Sequence, residues 1–246
     1  MMRPILIAAF ALITLIPAAA NAETKDPVFL LNNDESLLHI SATEQREVDQ
    51  DLLIANLRIE VEDKSNKTVQ NDVNTAMKKA LDLAKNYKDV KAVTRGYNVY
   101  QYDRNGGRKD RTPDMVWKGQ QSVELKSKNS EELLELAGKI QEAGFLMNGL
   151  SYTLSPEVAA QVQDEMLEAA LEKLRTRAER AAKALGKSKA ELKEINTNGN
   201  YVPQPPMYAR GMEMMAMAAD AKMAAPVASP GETTITMNVS AKALLK

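Results

Sequence analysis

Cysteine is absent from this 246-residue chain, and histidine occurs once, at His39. Without cysteine, the chain has no disulfide, no thiolate nucleophile, no thiolate zinc site and no lipid anchor on cysteine. A single histidine excludes the common metal sites that are built from several histidines, and it leaves one candidate for imidazole chemistry. Because a lone histidine is more often structural or solvated than reactive, His39 is not predicted to be catalytic.

The motifs of several enzyme classes are also missing. The sequence has no Gly-x-Ser-x-Gly elbow, no Gly-rich phosphate loop after a strand and no His-Glu-x-x-His pair. Acidic residues are plentiful, but they fall on predicted helix faces, where solubility explains them. We therefore predict no catalytic residue, no cofactor and a non-enzymatic protein. A hydrolase that uses scattered carboxylates is the alternative.

Neither sign of charge dominates. The chain has 32 basic and 33 acidic residues and a formal net charge of −1. Such a balance gives no overall attraction to nucleic acid or to anionic lipid, so no nucleic-acid partner is predicted.

The one long apolar run lies near the start of the chain, at residues 5–16. Arg3 precedes it, and Ala20-Asn21-Ala22 follows it as a small-x-small cleavage site. This pattern predicts a secretory signal peptide over residues 1–22, cleavage after Ala22 and a periplasmic mature protein starting at Glu23. An uncleaved anchor is the alternative, although the run is short for a span of about 20 residues. Residues 23–36 are predicted to form a flexible N-terminal segment.

Alternating polar and apolar residues predict the strands. In the clearest case, Leu53, Leu57 and Val61 share one face, while Arg58 and Glu60 share the other. Similar patterns begin at residue 37 and occur at 93–102, 115–125, 150–154, 192–196 and 233–241. Asn-Gly-Gly at residues 105–107 predicts a long-looped hairpin between two of them.

Three amphipathic helices are predicted between these strands. The first runs from about residue 69 to 87, and the second begins at Asn129 or Ser130. The third and longest begins at Ser155-Pro156-Glu157 and ends near Gly186. Its predicted buried stripe is Val158, Val162, Met166, Ala170, Leu174, Ala178, Ala181 and Leu185. This mixture of helices and hairpin-linked strands predicts an α+β fold with mixed or antiparallel strands.

Residues 199–231 follow no helical or strand period and are rich in proline, methionine and alanine. The predicted interaction residues there are Met207, Met212, Met214, Met215, Met217 and Met223. Several interpretations stay open: a flexible excursion that contacts the domain or a neighbouring subunit, a contact with a partner or membrane surface, and sacrificial oxidation. In a fourth, thioethers bind Cu(I), and the candidate ligands are Met212, Met214, Met215 and Met217.

Two weaker candidate sites lie in the predicted hairpin. A basic loop could bind a phosphate or an acidic glycan, although nearby aspartates dilute its charge; its cations are Arg104, Arg108, Lys109 and Arg111. Four aromatic residues could stack a ligand, although strand aromatics more often pack across strands; they are Tyr97, Tyr100, Tyr102 and Trp117.

The layout as a whole resembles the SIMPL-domain family. The resemblance rests on the leader, the segment His39-Ile40-Ser41-Ala42-Thr43, the tyrosine-rich hairpin at 96–123, the long alanine-rich helix and the methionine-rich insertion before a last strand. It covers residues 37–244. The family includes bacterial periplasmic and outer-membrane-associated proteins, among them an oxidative-stress defence protein and a periplasmic immunogenic antigen. The resemblance implies an α+β domain over residues 37–246, a tendency to oligomerise and a stress-linked role. It supplies no active-site residues.

The predicted function is therefore that of an exported, non-enzymatic, homo-oligomeric protein that supports tolerance of envelope or oxidative stress, with an association with the envelope or outer membrane. The alternative is a periplasmic module that binds Cu(I) or a small ligand.

Overall fold

A computed structural model describes residues 34–107, 111–198 and 226–246. Within these ranges the chain forms two antiparallel sheets and three helices, which confirms the predicted α+β fold. The elements in chain order are β1 (Ser36–Asp49), β2 (Leu52–Asp63), α1 (Asn66–Ala84), β3 (Lys91–Asp103), β4 (Met115–Ser127), α2 (Ser130–Glu142), β5 (Leu146–Thr153), α3 (Pro156–Ala184), β6 (Ala190–Asn198) and β7 (Glu232–Leu245). None of the described helices is both long and apolar enough to cross a bilayer.

The three-stranded sheet has the order β1-β7-β6, and α3 packs on one of its faces. Helix α3 begins as its sequence predicts, because the Ser155 side chain accepts a hydrogen bond from the backbone N–H of Val158 and Pro156 is the first helical residue. The alternating apolar residues of β1 and β7 meet the apolar stripe of α3. The buried core includes Ala42, Val162, Met166, Ala170, Leu174, Ile235 and Val239.

Two positions of the predicted α3 stripe are wrong. Ala182 is buried in place of Ala181, and Leu185 is 59% exposed. Ala182 lies four residues after the buried Ala178, which continues the helical period, whereas Ala181 lies three residues after it. Leu185 lies beyond Ala184, the last helical residue, and therefore leaves the face that packs on the sheet.

The four-stranded sheet has the order β3-β4-β2-β5, and α1 and α2 cover one face. The alternation in β2 is confirmed, since Leu53 and Leu57 are fully buried beneath the helices. Ser65 caps α1 and Asn129 caps α2, each by accepting a backbone N–H bond. The buried core includes Leu53, Leu57, Val73, Met77, Val123, Leu125, Leu133, Leu136 and Ile140.

Helix α1 approaches β4 closely at Gly119. A Cβ atom on this residue would lie 2.4 Å from Cγ1 of Val69 and 3.0 Å from Cγ2 of Val73. Side chains larger than hydrogen therefore do not fit here without a shift of the helix. The contact also fixes which way β4 faces: Gly119 faces α1, so its neighbours Lys118 and Gln120 point away from the helices.

The chain passes from one sheet to the other at Gln50 and Asp51. Gln50 is buried and bonded to the three-stranded part: its backbone N–H donates to the Gly231 carbonyl at 2.9 Å, and its Nε2 donates to Oγ1 of Thr233 at 2.9 Å. These bonds fix the start of β7 against the point where β1 ends.

Asp51 connects the same crossing point to α3. Its carboxylate accepts hydrogen bonds from the Ser155 backbone N–H at 2.6 Å and the Ser155 hydroxyl at 2.7 Å, and Lys128 Nζ lies 2.9 Å away. Partial burial, the largest single influence, raises the pKa of Asp51, but the bonds from Ser155 and Lys128 together outweigh it. The pKa of Asp51 is therefore lower than its ordinary value.

Candidate binding face of the four-stranded sheet

The outer face of the four-stranded sheet is the face that points away from α1 and α2. It is polar, as the alternation in β2 indicates: Arg58, Glu60 and Glu62 lie on it, between residues that the helices bury. From β4 it receives Lys118 and Gln120, which pair with Glu62 and Glu60 across the strands. From β3 it receives Asn98 and Tyr100, which pair with Gln120 and Lys118, and then Tyr102.

A chain of alternating charges crosses one end of the outer face. Lys118 Nζ lies 3.1 Å from Glu60 Oε2 and 3.6 Å from Glu62 Oε1. Arg58 pairs with Glu60 at 2.9 Å, and Arg104 pairs with Glu62 at 3.4 Å. Arg104 also lies 3.6 Å from Asp114. The complete network comprises three cations and three anions, in the order Arg58, Glu60, Lys118, Glu62, Arg104 and Asp114.

The contacts within the network shift the pKa values of Glu62 and Lys118. The hydrogen bond with Tyr102 is the main cause that lowers the pKa of Glu62, and the bond with Glu60 is the main cause that raises the pKa of Lys118. Elsewhere on the face, the bond with Lys126 lowers the pKa of Glu124. In all three cases the pKa moves away from neutrality.

Tyr100 and Tyr102 form an aromatic pair next to this network. Their ring centroids are 6.2 Å apart and the ring planes are tilted by 50°. Tyr102 is half-buried and interacts with Glu62 and Arg104, and the bond with Glu62 is the main cause that raises its pKa. Tyr100 is 45% exposed. The pair thus has one anchored ring and one ring that is open to solvent.

Uncharged side chains continue the outer face beyond the tyrosines. Asn98 and Gln120 are direct cross-strand partners, and Ser122 is the next outer-face residue of β4. Across the part of the chain that the structure describes, the amide groups of Asn98 and Gln120 have no hydrogen-bond partner. Each amide can therefore donate and accept hydrogen bonds with a ligand.

The structure brings together two of the four predicted stacking aromatics. Tyr100 and Tyr102 lie on the outer face, whereas Tyr97 and Trp117 lie on the other face, in register with Gln121 and Gln101. Period-two alternation alone separates Tyr97 from Tyr100, because the two residues are three positions apart.

The predicted basic loop is only partly described. The hairpin is confirmed, and Gly106 and Gly107 both have φ of 67°, where glycine is favoured. Arg104 is engaged by Glu62 and Asp114, and Arg111 is exposed. Arg108 and Lys109 lie outside the described residues. The described cations therefore do not form a free basic patch.

The remaining candidates do not meet this face. His39 is exposed on β1, where it is in register with Lys242. Among residues 34–107, 111–198 and 226–246, no three His, Asp or Glu side chains converge as a metal site. The six candidate methionines lie outside the described residues: Met207, Met212, Met214, Met215, Met217 and Met223.

The charge network has a partial signature in the sequence. Alternation places Arg58, Glu60 and Glu62 on one polar face of β2. The position of Lys118 between the two glutamates depends on the β2–β4 register, which a single sequence does not give. Arg104 and Asp114 become part of the network only because the folded β3–β4 loop brings them beside Glu62.

Replacing Glu62 with glutamine should lower the pKa of Tyr102 towards its ordinary value, because the bond with Glu62 is the main cause of its elevation. Ultraviolet titration of tyrosinate measures this shift, with Tyr102→Phe identifying the signal. Glu124→Gln, on the same face but away from Tyr102, is the matched control and should leave the titration unchanged. An unaltered Tyr102 titration in Glu62→Gln would contradict the effect assigned to Glu62.

Comparison with known proteins identifies the family of this chain. A family model described as SIMPL, a protein of unknown function (DUF541), matches residues 38–243. No curated protein matches the chain significantly. Among solved structures, the chain aligns with a crystal structure from Burkholderia cenocepacia described as a candidate amidohydrolase/peptidase, at 15% identity and a TM-score of 0.25. The alignment covers 59% of this chain and 34% of that chain, so this chain spans about a third of that protein. A TM-score this low supports no conclusion about fold or activity.

Proposed function

Since this chain belongs to the SIMPL family of proteins of unknown function, we propose that it is an exported, non-catalytic protein that acts by binding and self-association. Its role in this proposal is to support tolerance of envelope or oxidative stress. Residues 1–22 have the pattern of a cleaved signal peptide, which supports a periplasmic location.

The ion pairing of the charged groups on the outer face is the observation that supports a binding role most directly. General acids and bases work best when their pKa lies near the operating pH. The pKa values of Glu62 and Glu124 are lowered and that of Lys118 is raised, so each shift makes proton transfer at neutral pH harder. Paired groups of this kind suit a surface that contacts a partner or ligand.

The stress-linked part of the proposal rests on methionine chemistry. Six of the 13 methionines fall within residues 207–223. Methionine adapts to irregular apolar contacts, and its oxidation to the sulfoxide makes the side chain polar and is reversible by reductases. Peroxide would then change self-association through these residues.

The test is light scattering on the protein from Glu23 to Lys246, with and without peroxide. We expect a homo-oligomer whose mass changes on oxidation. In a variant with leucine at the six candidate positions, the fold should persist and the mass should no longer respond to peroxide. Met115→Leu is the control, because Met115 is 45% exposed on β4, outside this segment, and its variant should respond like the parent protein.

Two results would contradict the proposal. A protein that is monomeric under all conditions would contradict self-association. An unchanged peroxide response in the six-leucine variant would contradict the role of these methionines. In the second case, competition against a Cu(I) indicator tests the alternative in which Met212, Met214, Met215 and Met217 bind the ion.

Binding of a small ligand is the second candidate function. It is favoured by the exposed ring of Tyr100 and by the amides of Asn98 and Gln120, which have no hydrogen-bond partner among the described residues.

A further inference from the structure

We infer that the outer face binds a neutral oligosaccharide, with the Tyr100 ring stacked on a sugar ring and Asn98 and Gln120 hydrogen-bonded to its polar groups. This ligand class deepens the proposed function, and it rests on that proposal in requiring binding without turnover.

The aromatic pair provides the stacking surface. The face of an aromatic ring carries partial negative charge, which attracts the weakly positive C–H groups on the flat side of a sugar. Tyr100 is exposed enough for this contact, and Tyr102 supports it at a centroid distance of 6.2 Å. Glu62 and Arg104 lie beside the Tyr102 hydroxyl at this end of the outer face.

The two amides provide the polar contacts. Asn98 lies two residues before Tyr100 on the same face of β3, at about 7 Å, the spacing of alternate residues in a strand. Gln120 lies across from Asn98 on β4. Each amide combines two donor hydrogens with a carbonyl acceptor. Sugar hydroxyls and N-acetyl groups are donors and acceptors, so they match these two amides, which have no hydrogen-bond partner among the described residues.

The charge network favours a neutral ligand over an ionic one. Lys118 is shared by Glu60 and Glu62, and Arg104 is shared by Glu62 and Asp114. An anionic ligand would have to compete with these carboxylates for the same cations. A cationic ligand would have to compete with Lys118 and Arg104 for the same carboxylates. Among the described residues, every cation and every carboxylate of the network is therefore already paired, and none of them is free to select an ion.

The shape of the surface suits an extended chain. Tyr102, Tyr100 and Asn98 lie in a row along β3, which is an edge strand of its sheet. A linear oligosaccharide aligned with β3 can contact this row and Gln120 together.

The experiment is isothermal titration calorimetry on the protein from Glu23 to Lys246, with chitohexaose and cellohexaose as neutral probes. We expect saturable binding of at least one probe. Tyr100→Ala should weaken it about tenfold, because a stacked aromatic contact is lost. Tyr100→Phe should stay within about threefold, because it keeps the ring.

Tyr97→Ala is the matched control. Tyr97 is 44% exposed, Tyr100 is 45% exposed, and the two lie on the same strand with opposite orientations. The control should bind like the parent protein. Asn98→Ala is a second variant whose folding does not depend on an aromatic side chain, and it should also weaken binding.

Several outcomes would overturn the inference. They are no saturable heat with either probe, equal losses in Tyr97→Ala and Tyr100→Ala, and tighter binding of a sulfated hexasaccharide than of the neutral probes. Mass spectrometry of the recovered probe separates this inference from the proposed function. Shortened products would contradict the non-catalytic proposal, whereas lack of binding with an intact peroxide-sensitive oligomer would contradict only the ligand assignment.

Discussion

Replacing Gly119 with alanine should lower the free energy of unfolding by about 3 kcal/mol, at the upper end of what overpacking a core costs. The added Cβ would lie 2.4 Å from Val69 and 3.0 Å from Val73, and both side chains are fully buried in α1. Valine side chains are stiff about χ1, so neither can rotate away cheaply. The helix must then move from the sheet, which also loosens its contacts with β2. Urea unfolding followed by circular dichroism measures the effect.

The control for this variant is Gly138→Ala in α2. A Cβ on Gly138 meets nothing within 4 Å. Because alanine favours helix over glycine, this variant should gain about 0.5–1 kcal/mol. A double variant, Gly119→Ala with Val69→Ala, should be more stable than Gly119→Ala alone, because the clashing methyl groups are gone. Additive losses in the double variant would show that the predicted clash is not the cause.

Replacing Asp51 with asparagine should cost about 2 kcal/mol at neutral pH, because hydrogen bonds to a charged acceptor are lost where the two sheets join. The carboxylate accepts two bonds from Ser155 and lies beside Lys128. Asparagine keeps one acceptor oxygen, but it places an amide donor where the second one lay. It also removes the nearer of the two carboxylates beside Lys128, which then has only Glu157, at 3.7 Å.

The contribution of Asp51 should depend on pH. Its pKa is lowered in the folded protein, from an ordinary value of 3.8. The stabilisation is therefore fully present above that value and is lost as the pH falls below it towards the folded pKa. The difference in unfolding free energy between the parent protein and Asp51→Asn should be largest near neutrality and should shrink in acid.

Denaturant unfolding at several pH values tests this expectation. Asp164→Asn is the control, because Asp164 is exposed on α3, and it should change stability by less than about 0.5 kcal/mol. A difference between Asp51→Asn and the parent protein that stays constant from neutral to acidic pH would contradict the role assigned to the carboxylate.

Helix caps and short-range periodicity in the sequence predicted most of the helices and strands. Ser155 and Pro156 mark the start of α3, and the alternation at Leu53 and Leu57 marks β2, because caps and periodicity act within a few residues. The error at Ala181 arose because the predicted stripe advanced by three residues where the helix buries the fourth, and the error at Leu185 arose because the stripe was extended beyond the last helical residue.

Features that depend on register could not be predicted in this way. The sequence shows Gly119 only as a glycine in a strand, and the approach of α1 is what makes it necessary. The same holds for Lys118, whose place between Glu60 and Glu62 depends on which residues of β2 and β4 face each other. The period of two in a strand places Tyr97 and Tyr100 on opposite faces of the sheet. Only the packing of α1 and α2 shows that Tyr100 is the one on the outer face.

The central place of β7 in the three-stranded sheet has a consequence for the order of folding. Strands and helices from 52 to 153 form the four-stranded sheet from one continuous stretch, so this part is complete as soon as that stretch is synthesised. Strand β1 precedes it, yet its partner is β7, and the paired residues Thr43 and Asn238 are 195 positions apart. Closing so large a loop is entropically costly and slow. We therefore expect β1 to stay unpaired throughout synthesis and the three-stranded sheet to form last.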